Sequence, residues 1–151
     1  MFLKVQGVTG EAGDAEHKGE IEVVSWSWGM QASTDLATGQ AAGKSRISEL
    51  HIVKRVDLAS PTLMTYLRNN RVVGTANLIV RKAGTTPLEY FRIDLVNVRV
   101  TAVKTESENA ELIERVSLGF QKIIVSYTPQ GASGAKGGGT NVFEADAHAV
   151  T

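Results

Sequence analysis

Apolar and polar residues alternate along most of this chain with the two-residue period of β-strands. The alternation predicts strands over residues 2–8, 20–28, 49–56, 72–81, 88–104 and 116–127. In three of these strands the apolar positions move from one face to the other part-way along. The changes fall between Val23 and Val24, between Leu95 and Val96, and between Phe120 and Ile123.

Each change of face requires a bulge or a sharp bend, because a one-residue slip turns every following side chain to the opposite side. Strands that bend in this way form the corners of barrels and orthogonal sandwiches. We therefore predict a mainly β protein with an antiparallel β-barrel, closed or nearly closed, of about seven to nine strands.

One helix is predicted, and it begins at Ser60. Serine is a favoured N-cap, and Pro61 is favoured at the first helical position. Leu63 and Leu67 follow at helical spacing, and Asn70 can adopt the left-handed conformation that ends a helix. We expect this short helix to pack on the side of the barrel.

Residues 31–47 show neither a strand period nor a helix period. The segment is rich in Ala, Gly, Ser and Thr, and its only large aliphatic residues are Leu36 and Ile47. Loops beyond about 12–15 residues are uncommon in compact domains and are usually functional or disordered. We therefore expect residues 31–47 to form a long loop that is either functional or a disordered surface loop.

The pattern predicts one domain over residues 1–130. A Gly-rich linker and a C-terminal tail follow over residues 131–151, and the tail from Thr140 is expected to be weakly structured. A chain of 151 residues can bury roughly 70% of its unfolded surface, so it needs no disulfide or metal to be stable.

Trp26 and Trp28 lie on one face of a predicted strand, and Ser25 and Ser27 lie on the other. Two indoles on one face require a large core or a partner surface. We interpret both tryptophans as core or subunit-interface residues. The alternative is a platform on which a sugar stacks, as in carbohydrate-binding modules.

The chain has 16 basic and 16 acidic residues and no cysteine. Balanced charge provides no bulk attraction to nucleic acid or anionic lipid, and it permits close packing of copies. Disulfides and thiolate chemistry are excluded.

No basic region precedes a long apolar run at the N-terminus, so we expect no cleaved signal peptide. No apolar run approaches the ~20 residues that span a bilayer.

No motif predicts catalysis, and we expect no enzyme activity, cofactor or metal. The sequence GQAAGKS at residues 39–45 approaches a phosphate-binding loop but is one residue short of the required spacing. His17, His51 and His148 have no second histidine at metal-ligand spacing. His51 is expected to be hydrogen-bonded in a strand, at an interface or sheet edge. The scattered basic residues, Lys54 among them, are expected to form a solvated surface.

Several blocks of the sequence resemble the haemolysin-coregulated protein (Hcp) family, the tube proteins of bacterial type VI secretion systems. They are spread over residues 1–139 in the family's order: FLKVQGVTGE, HKGEIEVVSWSWG, DLASPTLM, VRKAG, EYFRIDL and ERVSLGFQKIIVSYTPQ. Each block is short, but together they are highly specific. The tail from Thr140 matches no part of the pattern.

The resemblance implies an antiparallel β-barrel formed by two sheets, with one α-helix packed on its side and a long extended loop. It also implies a homohexameric ring, which stacks into a tube, meets sheath, spike and baseplate proteins, and carries small effector proteins in its channel. Such a protein assembles in the bacterial cytoplasm and leaves by the type VI route, without nucleic-acid binding or stable membrane insertion.

In the family the serine between the two tryptophans faces the channel; here that residue is Ser27, and Ser25 shares its face. The family's extended loop reaches neighbouring subunits. Its predicted interface residues here are Gln31, Ser33, Asp35, Leu36, Lys44 and Arg46. The alternative to a tube protein is a monomeric β-sandwich module that binds a glycan through Trp26 and Trp28.

Overall fold

The computed structural model describes residues 1–32, 45–82, 88–131 and 137–147. Within these ranges the chain forms ten β-strands and one α-helix, α1 (Ser60–Arg68). The strands are β1 (Phe2–Val5), β2 (Ile21–Glu22), β3 (Ser25–Ser27), β4 (Met30–Gln31), β5 (Arg46–Ile47), β6 (Leu50–Arg55), β7 (Val73–Lys82), β8 (Leu88–Glu108), β9 (Glu111–Tyr127) and β10 (Asn141–Asp146). The prediction of a mainly β fold with one helix is confirmed.

Eight strands form one curled antiparallel sheet in the order β2-β1-β7-β8-β9-β6-β3, with β10 also paired to β9. β2 and β3 lie at opposite ends of this order, although only Val23 and Val24 separate them. The Val23 amide donates to the Met1 carbonyl (3.0 Å), and the Val24 amide donates to the Val53 carbonyl (2.8 Å). Residues 21–27 therefore link both edges of the sheet, which curls into the predicted barrel-like form.

The predicted face changes of β8 and β9 occur opposite each other in the sheet. On β8, Leu95 and Val98 are both buried, so the inward face changes between them. The change occurs at Asn97, whose φ is +53°, and the β8–β9 register is continuous through this point. The bend at Asn97, whose backbone is left-handed, therefore produces the change of face in β8 without a bulge at that point. A register shift does follow, between Val100 and Ala102.

β8 and β9 are longer than their sequence pattern predicted. They pair as far as Glu108 and Glu111, joined by Asn109 and Ala110 with φ of +52° and +63°. Two central residues with positive φ are the signature of the tight hairpin turn that matches strand twist. The residues near this turn are polar on both faces of the strands, because both faces are exposed to solvent there. They therefore lack the apolar alternation from which a strand is predicted.

The expectation of a weakly structured tail is wrong for residues 141–146. They form β10, which pairs with β9 from Asn141 opposite Tyr127 to Asp146 opposite Lys122. The Lys122 ammonium also contacts the Glu144 carboxylate. The prediction failed because an edge strand with few buried side chains gives little periodic signal.

Helix α1 packs mainly on β8 and buries Leu63 and Tyr66. Its start differs from the prediction, since Ser60 is the first helical residue and not the N-cap. Asp57 lies just before the helix, and its Oδ1 accepts a hydrogen bond from the Ala59 amide (3.0 Å). The predicted end is confirmed: Asn70 adopts the left-handed conformation, with φ of +52°.

Candidate functional site

Strand β3 separates the serines from the tryptophans, as the alternation predicted. Ser25 and Ser27 are exposed, whereas Trp26 is half-buried against the core. The Trp26 ring stacks on Phe91 with centroids 5.5 Å apart and planes 15° apart. Trp28 also packs on the core, and its buried Nε1 finds no hydrogen-bond partner within the described residues. This geometry does not favour a flat exposed platform for a glycan.

Cross-strand pairing extends the serine face of β3 over β6 and β9. His51 of β6 lies between Ser27 of β3 and Ser117 of β9. The His51 Nδ1 and the Ser117 Oγ are 2.9 Å apart, so the two side chains are hydrogen-bonded. The prediction of a hydrogen-bonded strand histidine is confirmed, but β6 lies between two strands and is not an edge.

A second row of side chains runs beside the first. Val53 of β6 lies between Ser25 of β3 and Arg115 of β9. The Arg115 guanidinium hydrogen-bonds to Glu106, which holds the pKa of that carboxyl below its usual range. Together the two rows form a shallow polar groove of about 480 Å³, which we call the β3–β6–β9 groove.

The base of the predicted extended loop is a short ribbon. β4 pairs with β5, so Gln31 lies opposite Arg46 and Met30 lies opposite Ile47. Met30 is exposed. The other predicted loop residues, Ser33, Asp35, Leu36 and Lys44, lie outside the described residues. The two predicted interface residues that the structure does describe, Gln31 and Arg46, are paired on a ribbon separate from the main sheet.

Lys54 is completely buried, which corrects the expectation that it belongs to a solvated surface. Its ammonium is 2.7 Å from Asp57 and 3.1 Å from Glu114, and it donates to the Ser60 hydroxyl at 3.1 Å. Glu114 is also completely buried. A buried charge is tolerated only when it is paired in this way, so the cluster ties β6 and β9 to the start of α1.

His17 is buried between two carboxylates. Its Nδ1 is 2.9 Å from Glu20 and its Nε2 is 2.6 Å from Glu89. Ionised carboxylates only accept hydrogen bonds, so the protonated imidazole can donate to both of them at once, whereas a neutral ring can donate to only one. Burial lowers the pKa of His17, but the bonds to Glu20 and Glu89 together raise it above 6.5. The cluster fixes the loop before β2 to the start of β8.

The surroundings of His17 favour this structural role over metal binding. Glu16, His17 and Glu89 have potential ligand atoms within 4.8 Å of one another. Both ring nitrogens of His17 are already hydrogen-bonded, to Glu20 and to Glu89, so neither is free to coordinate a metal in this arrangement. Arg81 lies alongside, and its hydrogen bond to Asp14 holds the pKa of that carboxyl well below its usual range. Sequence reasoning missed the cluster because Glu89 is 72 residues from His17.

In the part of the chain that the structure describes, no helix is both long enough and apolar enough to cross a membrane. The family model described as "Type VI secretion system effector, Hcp" matches residues 2–127. This chain belongs to the Hcp family. Hcp proteins are secreted structural proteins of the type VI tube, and members of the family form oligomeric rings.

Known Hcp proteins are similar to this chain along nearly its whole length. Protein hcp1 of Pseudomonas aeruginosa is 40% identical over 144 residues, which are 92% of this chain and 89% of that protein. The crystal structure of Hcp1 from Salmonella typhimurium has a TM-score of 0.78 and 30% identity, covering 97% of this chain and 92% of that one. A type VI secretion system effector from Yersinia pestis has a TM-score of 0.79 and 28% identity, covering 96% and 98%.

Proposed function

We propose that this chain is the tube subunit of a type VI secretion system, forming a homohexameric ring that stacks into a tube and carries small effector proteins in its channel. The match to the Hcp family over residues 2–127 is the observation that carries the proposal. A ring requires a head-to-tail contact that closes by rotation, and a chain with 16 basic and 16 acidic residues has no net charge to oppose it.

The channel wall in this proposal is the outer face of β3, β6 and the first half of β9. Ser25 and Ser27 are exposed on it, and their short hydroxyl side chains suit a wet surface. The opposite face of β3 carries Trp26, which is directed to the core. The wall is therefore polar on the channel side and apolar behind.

The subunit contacts in this proposal include the ribbon of β4 and β5, with Gln31, Arg46 and the exposed Met30. The same proposal includes contacts with sheath, spike and baseplate proteins, cytoplasmic assembly, and export by the type VI route without a cleaved signal peptide. It assigns no catalytic step to the chain, since Hcp proteins are structural.

Two measurements test the proposal, beginning with the parent protein. Its mass in solution should be that of six chains, and negative-stain images should show rings with a central hole. An effector protein from the same bacterium, tagged and co-expressed, should co-purify with these rings. A parent protein that stays monomeric, or rings that retain none of the bacterium's effectors, would count against the tube and carrier functions respectively.

The second measurement uses Ser27→Gln. A larger side chain on the channel wall should leave the mass of the ring unchanged and should reduce the amount of effector recovered. Thr75→Gln is the matched control, because Thr75 is an exposed hydroxyl residue of β7. Equal effector recovery from Ser27→Gln, Thr75→Gln and parent rings would show that Ser27 does not line the channel.

A further inference from the structure

The β3–β6–β9 groove offers hydrogen-bonding groups from three strands. Ser25, Ser27, His51 and Ser117 contribute hydroxyl and imidazole groups to its lining. The pairing of β3, β6 and β9 fixes their relative positions, so Ser27, His51 and Ser117 form one continuous row. A row over three strands is roughly 10 Å wide, which matches the width of a strand or helix of another protein.

Among the described residues that line the groove, Arg115 is the only arginine or lysine, and it is ion-paired within the chain. The Arg115 guanidinium hydrogen-bonds to Glu106, and its second nitrogen is 3.6 Å from Glu108. The groove therefore presents dipoles and not a net charge. Its complement is a surface that is also uncharged and hydrogen-bonding, because an isolated charge placed there would lose hydration without gaining an ionic partner.

His51 is the central group of the row. Its Nδ1 is hydrogen-bonded to the Ser117 hydroxyl, so this serine fixes the orientation of the ring. Within the described residues the ring's Nε2 has no partner, and His51 is exposed. Nε2 is therefore the atom that can bond to a molecule in the groove, while Ser117 positions it.

We propose that His51 and Ser117, together with Ser27, bind the cargo of the channel, and that they recognise an uncharged, hydrogen-bonding surface of a small folded effector protein. The inference rests on the proposed function, since it identifies the part of the channel wall that contacts cargo. It adds two residues, from β6 and β9, that the sequence did not connect with Ser27.

The experiment measures how much of one effector each ring retains. Each effector of the source bacterium is tagged and co-expressed with the parent chain, and the effector that parent rings retain becomes the probe. His51→Ala and Ser117→Ala should form normal rings and retain roughly fivefold to tenfold less probe, the effect of losing one or two hydrogen bonds. His51→Gln keeps a donor and an acceptor and should retain most of it. Thr75→Ala is the matched control.

Retention should also be nearly unchanged when the salt concentration is raised from about 0.1 M to about 0.5 M, because ionic contacts weaken over this range and hydrogen bonds do not. The inference is overturned if His51→Ala and Ser117→Ala retain the probe as well as Thr75→Ala does, while Ser27→Gln loses it. It is also overturned if retention falls steeply with salt. If parent rings retain no effector at all, the carrier function itself fails.

Discussion

Trp26 and Trp28 are not completely buried by their own chain, although each carries a large apolar ring. Trp26 stacks on Phe91, and both tryptophans lie against the core. The part of each indole that its own chain leaves uncovered is apolar surface that a neighbouring subunit can bury. We therefore interpret them as residues whose burial is completed in the assembled protein.

Replacing either tryptophan by alanine should destabilise the protein. Trp26→Ala removes the stack on Phe91, and full burial in the assembly would bring the loss of unfolding free energy to roughly 3–5 kcal/mol. Urea unfolding of the assembled protein measures this loss. Leu112→Ala, at an exposed apolar position, is the control and should change little. If both tryptophan variants match the parent in thermal stability and ring formation, these residues are not buried.

His17 gives the protein a pH dependence whose sign is determined by its hydrogen bonds. Because the folded pKa is raised above 6.5, the stabilisation is fully present below about pH 6.5 and is lost as the pH rises through the folded pKa. Glu20 and Glu89 then face a neutral ring that can donate to only one of them.

The parent's melting temperature should therefore fall as the pH rises above about 6.5, and His17→Gln should show a smaller fall over the same range. Thermal unfolding at a series of pH values is the measurement. The matched control is His51→Gln, which replaces an exposed histidine outside this cluster. A His17→Gln profile parallel to that of the parent would show that the cluster does not supply the dependence.

The burial of Lys54 and Glu114 could have been predicted from the alternation itself. Lys54 has the same parity as Ile52 of β6, and Glu114 has the same parity as Val116 of β9. All four side chains are therefore directed to the core. The sequence pattern shows where a side chain points, but only the pairing of β6 with β9 shows that two opposite charges meet there. By contrast, nothing local in the sequence connects His17 with Glu89.

At the scale of elements, strands with one buried face were predictable and those with two wet faces were not. β7 and the first half of β8 were recognised from buried alternating residues such as Leu78 and Ile93. Residues 105–108 of β8 and all of β10 were missed, because pairing with β9 and not side-chain burial stabilises them. The ribbon of β4 and β5 was missed for the same reason.

The extended loop between β4 and β5 remains a predicted assembly element. Leu36 could anchor on a neighbouring subunit, and ordering the loop alone would cost about 1–2 kcal/mol per residue. Shortening the loop by removing residues 33–43 should therefore leave the circular dichroism of the barrel nearly unchanged. It should weaken ring cohesion or ring stacking, which analytical ultracentrifugation and electron microscopy would detect. If the shortened protein forms rings and is secreted as well as the parent, the loop has no role in assembly.

For the whole molecule, the barrel was predictable because its three changes of face are visible in the apolar pattern. Asn97 marks the change in β8. The change predicted between Val23 and Val24 falls later, because Val23 is buried and Val24 is exposed, whereas Trp26 packs on the core. The outer face of the barrel was less predictable. Ser25 and Ser27 were identified through the resemblance to Hcp proteins, whereas His51 and Ser117 join them only through the register of β6 with β3 and β9.

The segment that links the two edges of the sheet has a consequence for folding kinetics. Residues 21–27 hydrogen-bond to β1 on one side and to β6 on the other. They close the barrel only when β1 is also paired with β7 and β6 with β9, and the first of these pairs joins distant parts of the chain, such as Phe2 with Ile79. Neighbouring hairpins close first because their loop-closure entropy is smaller, so barrel closure should come after the rate-limiting step.

Val23→Ala should then accelerate unfolding and hardly change the refolding rate, while Val98→Ala, in the β8–β9 hairpin, should slow refolding. Stopped-flow chevron plots of the two variants measure both rates, and slower refolding of Val23→Ala would mean that closure occurs early.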